Sequence, residues 1–179
     1  FTSKHNYEPG KKNIAILNSY METYGGGEKL SGYTAKALED DSNVDLLIRI
    51  PNKVTKKTIR EYTGIELKKT EVLSIMSGEP IKYIRDYDVF INSEWCSREI
   101  GNGRYNILMT MFPDNTVDLK FLDSYDKIIT ISEFSRNWIN RYYNRDAEVI
   151  YPPVDQICTE GEWLELKKIS VTCSLVNGR

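Results

Sequence analysis

Short apolar runs recur along this chain, each followed by a stretch of helical periodicity, and that alternation restricts the fold to helices packed on a mainly parallel sheet. Ile14–Asn18 has the composition of a buried strand. Beyond a loop from Ser19 to Gly27, Leu30, Tyr33, Thr34, Ala37 and Leu38 share one predicted helix face, and Glu39, Asp40 and Asp41 close that helix. A second strand, Val44–Ile50, ends at Pro51. Residues 53–64 fit a short helix and 65–74 an outer strand. Pro80–Asp86 follows as a helix, then Tyr87–Asn92 as a buried strand and Ser93–Arg104 as a loop at its carboxyl end. Tyr105–Phe112 is the next strand and Val117–Tyr125 the next helix. Lys127–Ile131 is a strand, and Ser132 is placed to cap a helix over Glu133–Asn144 whose buried stripe is Phe134, Trp138, Ile139 and Tyr142. Ala147–Tyr151 completes the unit, because Pro152-Pro153 forbids its continuation.

This reading gives an α/β, Rossmann-like three-layer domain over residues 13–155, preceded by a leader or linker at 1–12. Residues 156–179 read as a connection to a second domain whose first strand begins near Ile169. Since the chain starts on Phe1 and its last residues resemble a strand entering a turn, a longer protein is expected.

Composition narrows the function. The 24 basic and 26 acidic side chains nearly cancel, which gives no general field for nucleic acid. Cys96, Cys158 and Cys173 lack the spacing of a zinc or redox motif and fit a reducing, cytoplasmic setting. No apolar run approaches the ~20 residues of a membrane helix. The segment 53–69 is locally basic through Lys53, Lys56, Lys57, Arg60, Lys68 and Lys69. It is a candidate for peripheral contact with anionic lipid, although such runs are more often a solvated face.

The feature with most chemistry is Gly25-Gly26-Gly27, between the first strand and its helix. Glycines admit a ligand close to the backbone, and a helix start offers unpaired N–H groups and a positive dipole end to a phosphate. Glycine clusters also serve simply to turn a chain, and the residues alone leave both roles open. The dinucleotide fingerprint is absent, since counting G-x-G-x-x-G from Gly25 puts Leu30 where the third glycine belongs. A P-loop is absent too, because Lys29 lacks its preceding glycine and its following Ser or Thr.

The segments NIAILNSYMETYGGGEKLSGYTAKALED, YDVFINSEWCS, MFP, YDKIITISEFSRNWINRYY and AEVIYPPVD occur in an order and spacing that resembles the amino-terminal half of family-4 glycosyltransferases of GT-B architecture. The terminal VNGR looks like the opening of the carboxyl-terminal domain of such enzymes. The resemblance implies two Rossmann-like domains facing a cleft, with most of the nucleotide-sugar donor on the carboxyl-terminal domain and most of the acceptor on this one. It further implies that Gly25, Gly26 and Gly27 meet the donor diphosphate or the transferred sugar, that transfer is retaining, and that no cofactor or bound metal is needed. The acceptor it implies is a carbohydrate or a lipid-linked or protein-linked group, and this half alone is expected to be inactive.

Asn92 and Ser93, at the carboxyl end of a strand, are candidate acceptor contacts, as is Ser132 in addition to its capping role. Each also has a purely structural reading as a loop or helix start. Asp86-Tyr87-Asp88 spells a metal-binding D-x-D, but it precedes its strand, at the wrong end of the sheet. Some relatives carry a histidine beside the proline after the fifth strand, where this chain has Thr110-Met111-Phe112-Pro113. No catalytic residue is therefore assigned. Two other readings stay open: a Rossmann-type oxidoreductase or methyltransferase, and a non-catalytic carbohydrate-binding or assembly module.

Overall fold

The computed structural model describes residues 7–49, 53–76 and 86–154. Seven strands form one sheet in the order β3-β2-β1-β4-β5-β6-β7, and every pairing is parallel. The strands are β1 (Lys12–Leu17), β2 (Ser42–Arg49), β3 (Glu71–Ile75), β4 (Tyr87–Asn92), β5 (Gly103–Met109), β6 (Lys127–Thr130) and β7 (Glu148–Val149). The helices are α1 (Gly26–Leu38), α2 (Lys56–Thr63), α3 (Leu119–Leu122) and α4 (Glu133–Tyr143). The expected helix over Pro80–Asp86 falls almost wholly outside the described residues, as do Cys158, Cys173 and the expected strand near Ile169.

The central strands are apolar on both sides because helices cover both faces. Ala15 and Leu17 of β1, with Phe90 of β4, join a core completed by Phe121, Ile139 and Tyr143 from α3 and α4. Ile14 and Ile16, with Ile91, face the other way, into a core shared with Ala35 of α1 and Ile59 of α2. The sheet is thus the middle of three layers, the Rossmann-like arrangement expected from the alternation.

Several local expectations change. The inner face of α1 is Ser31, Gly32 and Ala35, while Ala37 is exposed and Leu30, Tyr33 and Leu38 lie half-buried at the margins. Small residues let this helix approach the sheet; a Cβ on Gly32 would already stand 3.0 Å from Ile65 Cδ1. On α4 the buried residues are Ser135, Ile139 and Tyr143, and the expected stripe fails at Phe134 and Tyr142, which are 72% and 40% exposed. Phe134, Trp138 and Tyr142 instead form an outer aromatic row, with Arg141 above Trp138. The helix expected over Val117–Tyr125 shortens to the four residues of α3. Ahead of β1, Glu8 N–H donates to Asn43 Oδ1 at 3.0 Å and the Tyr7 hydroxyl donates to Asp45, so residues 7–12 pack on the domain.

Glu39 fastens the carboxyl end of α1. It is 1% exposed, and its Oε2 accepts from the backbone N–H groups of Lys68, Lys69 and Thr70 at 2.9, 2.9 and 3.0 Å. Thr70 Oγ1 adds a bond at 3.1 Å and Lys36 an ion pair at 2.7 Å. Burial alone would raise the carboxyl pKa, but Lys36 and these backbone donors outweigh it and hold the value at about 2. Because the folded pKa lies below the ordinary value of 4.5, the stabilisation is present above pH 4.5 and is lost as the pH falls toward 2. Glu39→Gln should cost about 2–3 kcal/mol at neutral pH in urea unfolding. The gap from wild type should narrow below pH 4.5, and a gap independent of pH would contradict this role.

Candidate ligand site at the carboxyl edge

Parallel pairing brings the carboxyl ends of all the strands to one edge, and the strand order reverses direction between β1 and β4. Ligands of open α/β sheets bind outside such a switch point. Three side chains close it here. Asn18 follows β1, Ser93 follows β4 and Ser31 points in from α1, with exposures of 1%, 2% and 0%. Asn18 Nδ2 donates to Ser31 Oγ at 2.9 Å, the two serine hydroxyls lie 2.9 Å apart, and Ser93 Oγ donates to the Leu17 carbonyl at 2.9 Å. Ser31 Oγ also lies 3.0 Å from the Gly27 carbonyl, so its one proton is shared between that carbonyl and Ser93 Oγ. Strand, helix and glycine turn are joined in one buried polar contact.

Gly25 is the N-cap of α1 and supplies no side-chain acceptor. The first helical bond runs from Lys29 N–H to the Gly25 carbonyl at 2.9 Å, so the amides of Gly26, Gly27 and Glu28 precede it. None of the three glycines has a positive φ; the left-handed position next to them is Tyr24, at φ 50°. Turning the chain therefore does not require this glycine run. A Cβ on Gly27 would stand 2.7 Å from Met111 Cε and one on Gly25 2.8 Å from Glu28 Oε2, each the far end of a flexible side chain that can swing aside. At Gly26 a Cβ would meet nothing within 4 Å, and the residue is exposed.

From Gly26 and Gly27 a cavity of about 620 Å³ runs along Leu30 and Tyr33 of α1 to Met111, Phe112, Ile131 and Pro152–Val154, which follow β5, β6 and β7. Its size is that of a small-molecule site. A second cavity of about 570 Å³ includes Lys127, Arg136, Arg145, Asp146 and Glu148. Lys127 and Glu148 begin their strands, so this one opens at the amino edge, and its charges are closed internally by Lys127–Glu148, Arg136–Asp146 and Arg145–Asp123 pairs.

Asn92 and Ser93 lie at the expected edge, but their side chains are turned inward, with 0% and 2% exposure. Asn92 Nδ2 donates to Ser97 Oγ at 3.0 Å and to Tyr125 Oη at 2.7 Å, and its Oδ1 accepts from Glu94 N–H at 3.1 Å. Tyr125 in turn donates to the Glu99 carbonyl, and burial pushes its hydroxyl pKa up. Asn92 thereby shapes the loop after β4. That loop also needs Gly101, where a Cβ would stand 2.3 Å from the Ser124 carbonyl oxygen. Ser132 is half-buried and accepts from Ser135 N–H at 3.1 Å, the capping bond its position implied.

Asp86 and Asp88 flank the start of β4 at the amino edge, where both pair with Arg104, and Asp88 also accepts from Asn13 N–H. In the basic segment, Lys56, Lys57, Arg60 and Lys69 pair with Glu71, Glu61, Glu66 and Asp40, which leaves little net charge on that face. Among the described residues no helix is long and apolar enough to cross a membrane. Asn18, Ser31 and the groove residues other than Gly26 and Gly27 were not singled out as site residues from the sequence; the available signal was Ser31 four positions after Gly27, where a helical hydroxyl reaches back to a carbonyl.

Neither a known protein family nor a curated protein matches the sequence. What the fold defines is the class, an α/β Rossmann-like domain.

The vacancy around Gly26 yields a clean expectation. Gly26→Ala should leave stability unchanged or raise it by up to about 1 kcal/mol, since alanine suits a helical residue without steric conflict. Gly101→Ala should lower the melting temperature measurably. A strongly destabilised Gly26→Ala protein would return that glycine to a folding role.

Proposed function

We propose that this chain is the acceptor-side domain of a GT-B glycosyltransferase, moving a sugar from a nucleotide-sugar donor to a hydroxyl of an acceptor. The observation that carries the reading is Gly26, a glycine at a helix start whose missing side chain is explained by nothing inside the protein. Space left at a backbone N–H is what the close approach of an anionic or sugar oxygen requires. The spacing of the five motifs that resemble family-4 enzymes supplies the reaction class.

In this reading the bond from the sugar C1 to the diphosphate oxygen breaks while the acceptor oxygen bonds to C1 on the same face. The acceptor proton passes to the departing diphosphate. The amides of Gly26 and Gly27 meet negative charge as it grows on that leaving group, an electrostatic role that fixed donors fill without reorganisation. Asn18, Ser31 and Ser93 hold those donors in place.

In the full-length protein, a panel of nucleotide sugars should reveal one that is consumed with retention at C1, and Gly26→Ala should lower kcat about tenfold or more while the protein stays folded. Binding of NAD or S-adenosylmethionine without transfer from any nucleotide sugar would overturn the proposal.

A further inference from the structure

The groove beside the glycine turn has a largely apolar wall. Leu30, Tyr33, Met111 and Phe112 contribute hydrocarbon and ring surface, and Pro152 and Pro153 have no N–H to offer. Apart from the Tyr33 hydroxyl and backbone carbonyls, a free sugar placed there would find few partners for its hydroxyls, at a cost in affinity for each one left unbonded. Hydrocarbon would gain from the same surface. The wall also stays uncovered, since Phe112 is 69% and Val154 84% exposed. At the Gly26 end lie the helix N–H groups and Lys29, so the groove is polar and positive at one end and apolar along its length. That is the polarity of an amphiphile, and about 620 Å³ suits a small molecule better than a protein surface.

We propose that this groove holds the hydrocarbon chain of a lipid-type acceptor, an alkyl or isoprenyl group joined to the polar head that receives the sugar. The inference rests on the transferase reading for the word acceptor, but the groove's preference for hydrocarbon is testable without it. Met111, whose methyl group lies against Gly27, is a built-in reporter. Met21 is fully buried and reports on the fold, and Met76, 66% exposed after β3, reports on nonspecific contact.

With methionine methyls labelled with carbon-13, the chain is titrated with hexyl, heptyl and octyl glucosides below their micelle-forming concentrations, and with methyl glucoside. The Met111 signal should shift and saturate with the alkyl glucosides while Met21 and Met76 hold still. Affinity should rise about three- to fourfold for each added methylene. Phe112→Ser and Val154→Asp, both at exposed positions, should weaken octyl glucoside about tenfold with the Met21 signal unchanged. A Met111 signal that ignores octyl glucoside, answers methyl glucoside equally or shows no chain-length dependence would overturn the inference. In the full-length protein, equal transfer to methyl and octyl glucosides would leave the transferase reading standing and refute the lipid-type acceptor. Saturable alkyl binding with no sugar transfer would refute the transferase reading and keep the apolar subsite.

Discussion

The contact between the hydroxyls of Ser31 and Ser93 is the joint on which the ligand edge depends. It lies where the chain changes direction across the sheet, and through Asn18 and the Leu17 carbonyl it binds the ends of β1 and β4 to one helix. The Ser31 hydroxyl also lies 3.0 Å from the Gly27 carbonyl, so its one proton is shared between the first turn of α1 and Ser93. Buried polar groups of this kind cost free energy unless bonded, and here the bonds connect three separate segments. At its other end α1 is fastened by Glu39 to the amides leading into β3. A helix fixed at both ends presents its N-terminal amides in a constant position, as electrostatic binding of a developing charge demands.

Charge elsewhere is mostly closed on itself. Arg104 takes Asp86 and Asp88, Arg136 takes Asp146, and Arg145 takes Asp123. Arg49 and Glu99, both largely buried, tie the end of β2 to the loop after β4. The pairs of Arg104, Arg136 and Arg145 occupy charged side chains that a metal or phosphate would need at the amino edge. The groove beside the glycine turn differs, with backbone donors and hydrocarbon making up most of its lining.

Much of the fold was legible because buried parallel strands leave unbroken apolar runs: Tyr87–Asn92 was read to the residue, and Ser132 was recognised as a cap from its place before a helix. The helix faces were misread where size was taken for burial. On α1 the fully buried positions are Ser31, Gly32 and Ala35, with Leu30, Tyr33 and Leu38 packed against the core from its margins, and on α4 the aromatic residues Phe134 and Tyr142 lie outward. At the site, the glycine run was visible in the sequence, but the difference among its members was not. That a Cβ on Gly27 would meet the tip of Met111 while one on Gly26 would meet nothing depends on contacts between residues more than eighty positions apart. Asn92 and Ser93 were found by position at a strand end, which does not reveal which way a side chain turns.

The central claim is that the glycine turn is a preorganised set of donors kept in place by the Ser31–Ser93 contact. The most direct measurement follows the backbone amide resonances of Gly26, Gly27 and Glu28 by nitrogen-15 NMR as a nucleoside diphosphate is added, in wild type and in Ser93→Ala. The account predicts that these amides shift together and saturate in wild type, and that the variant needs several-fold more ligand while its core resonances stay in place. Amides that do not respond in wild type, or that respond identically once Ser93 is lost, would contradict it.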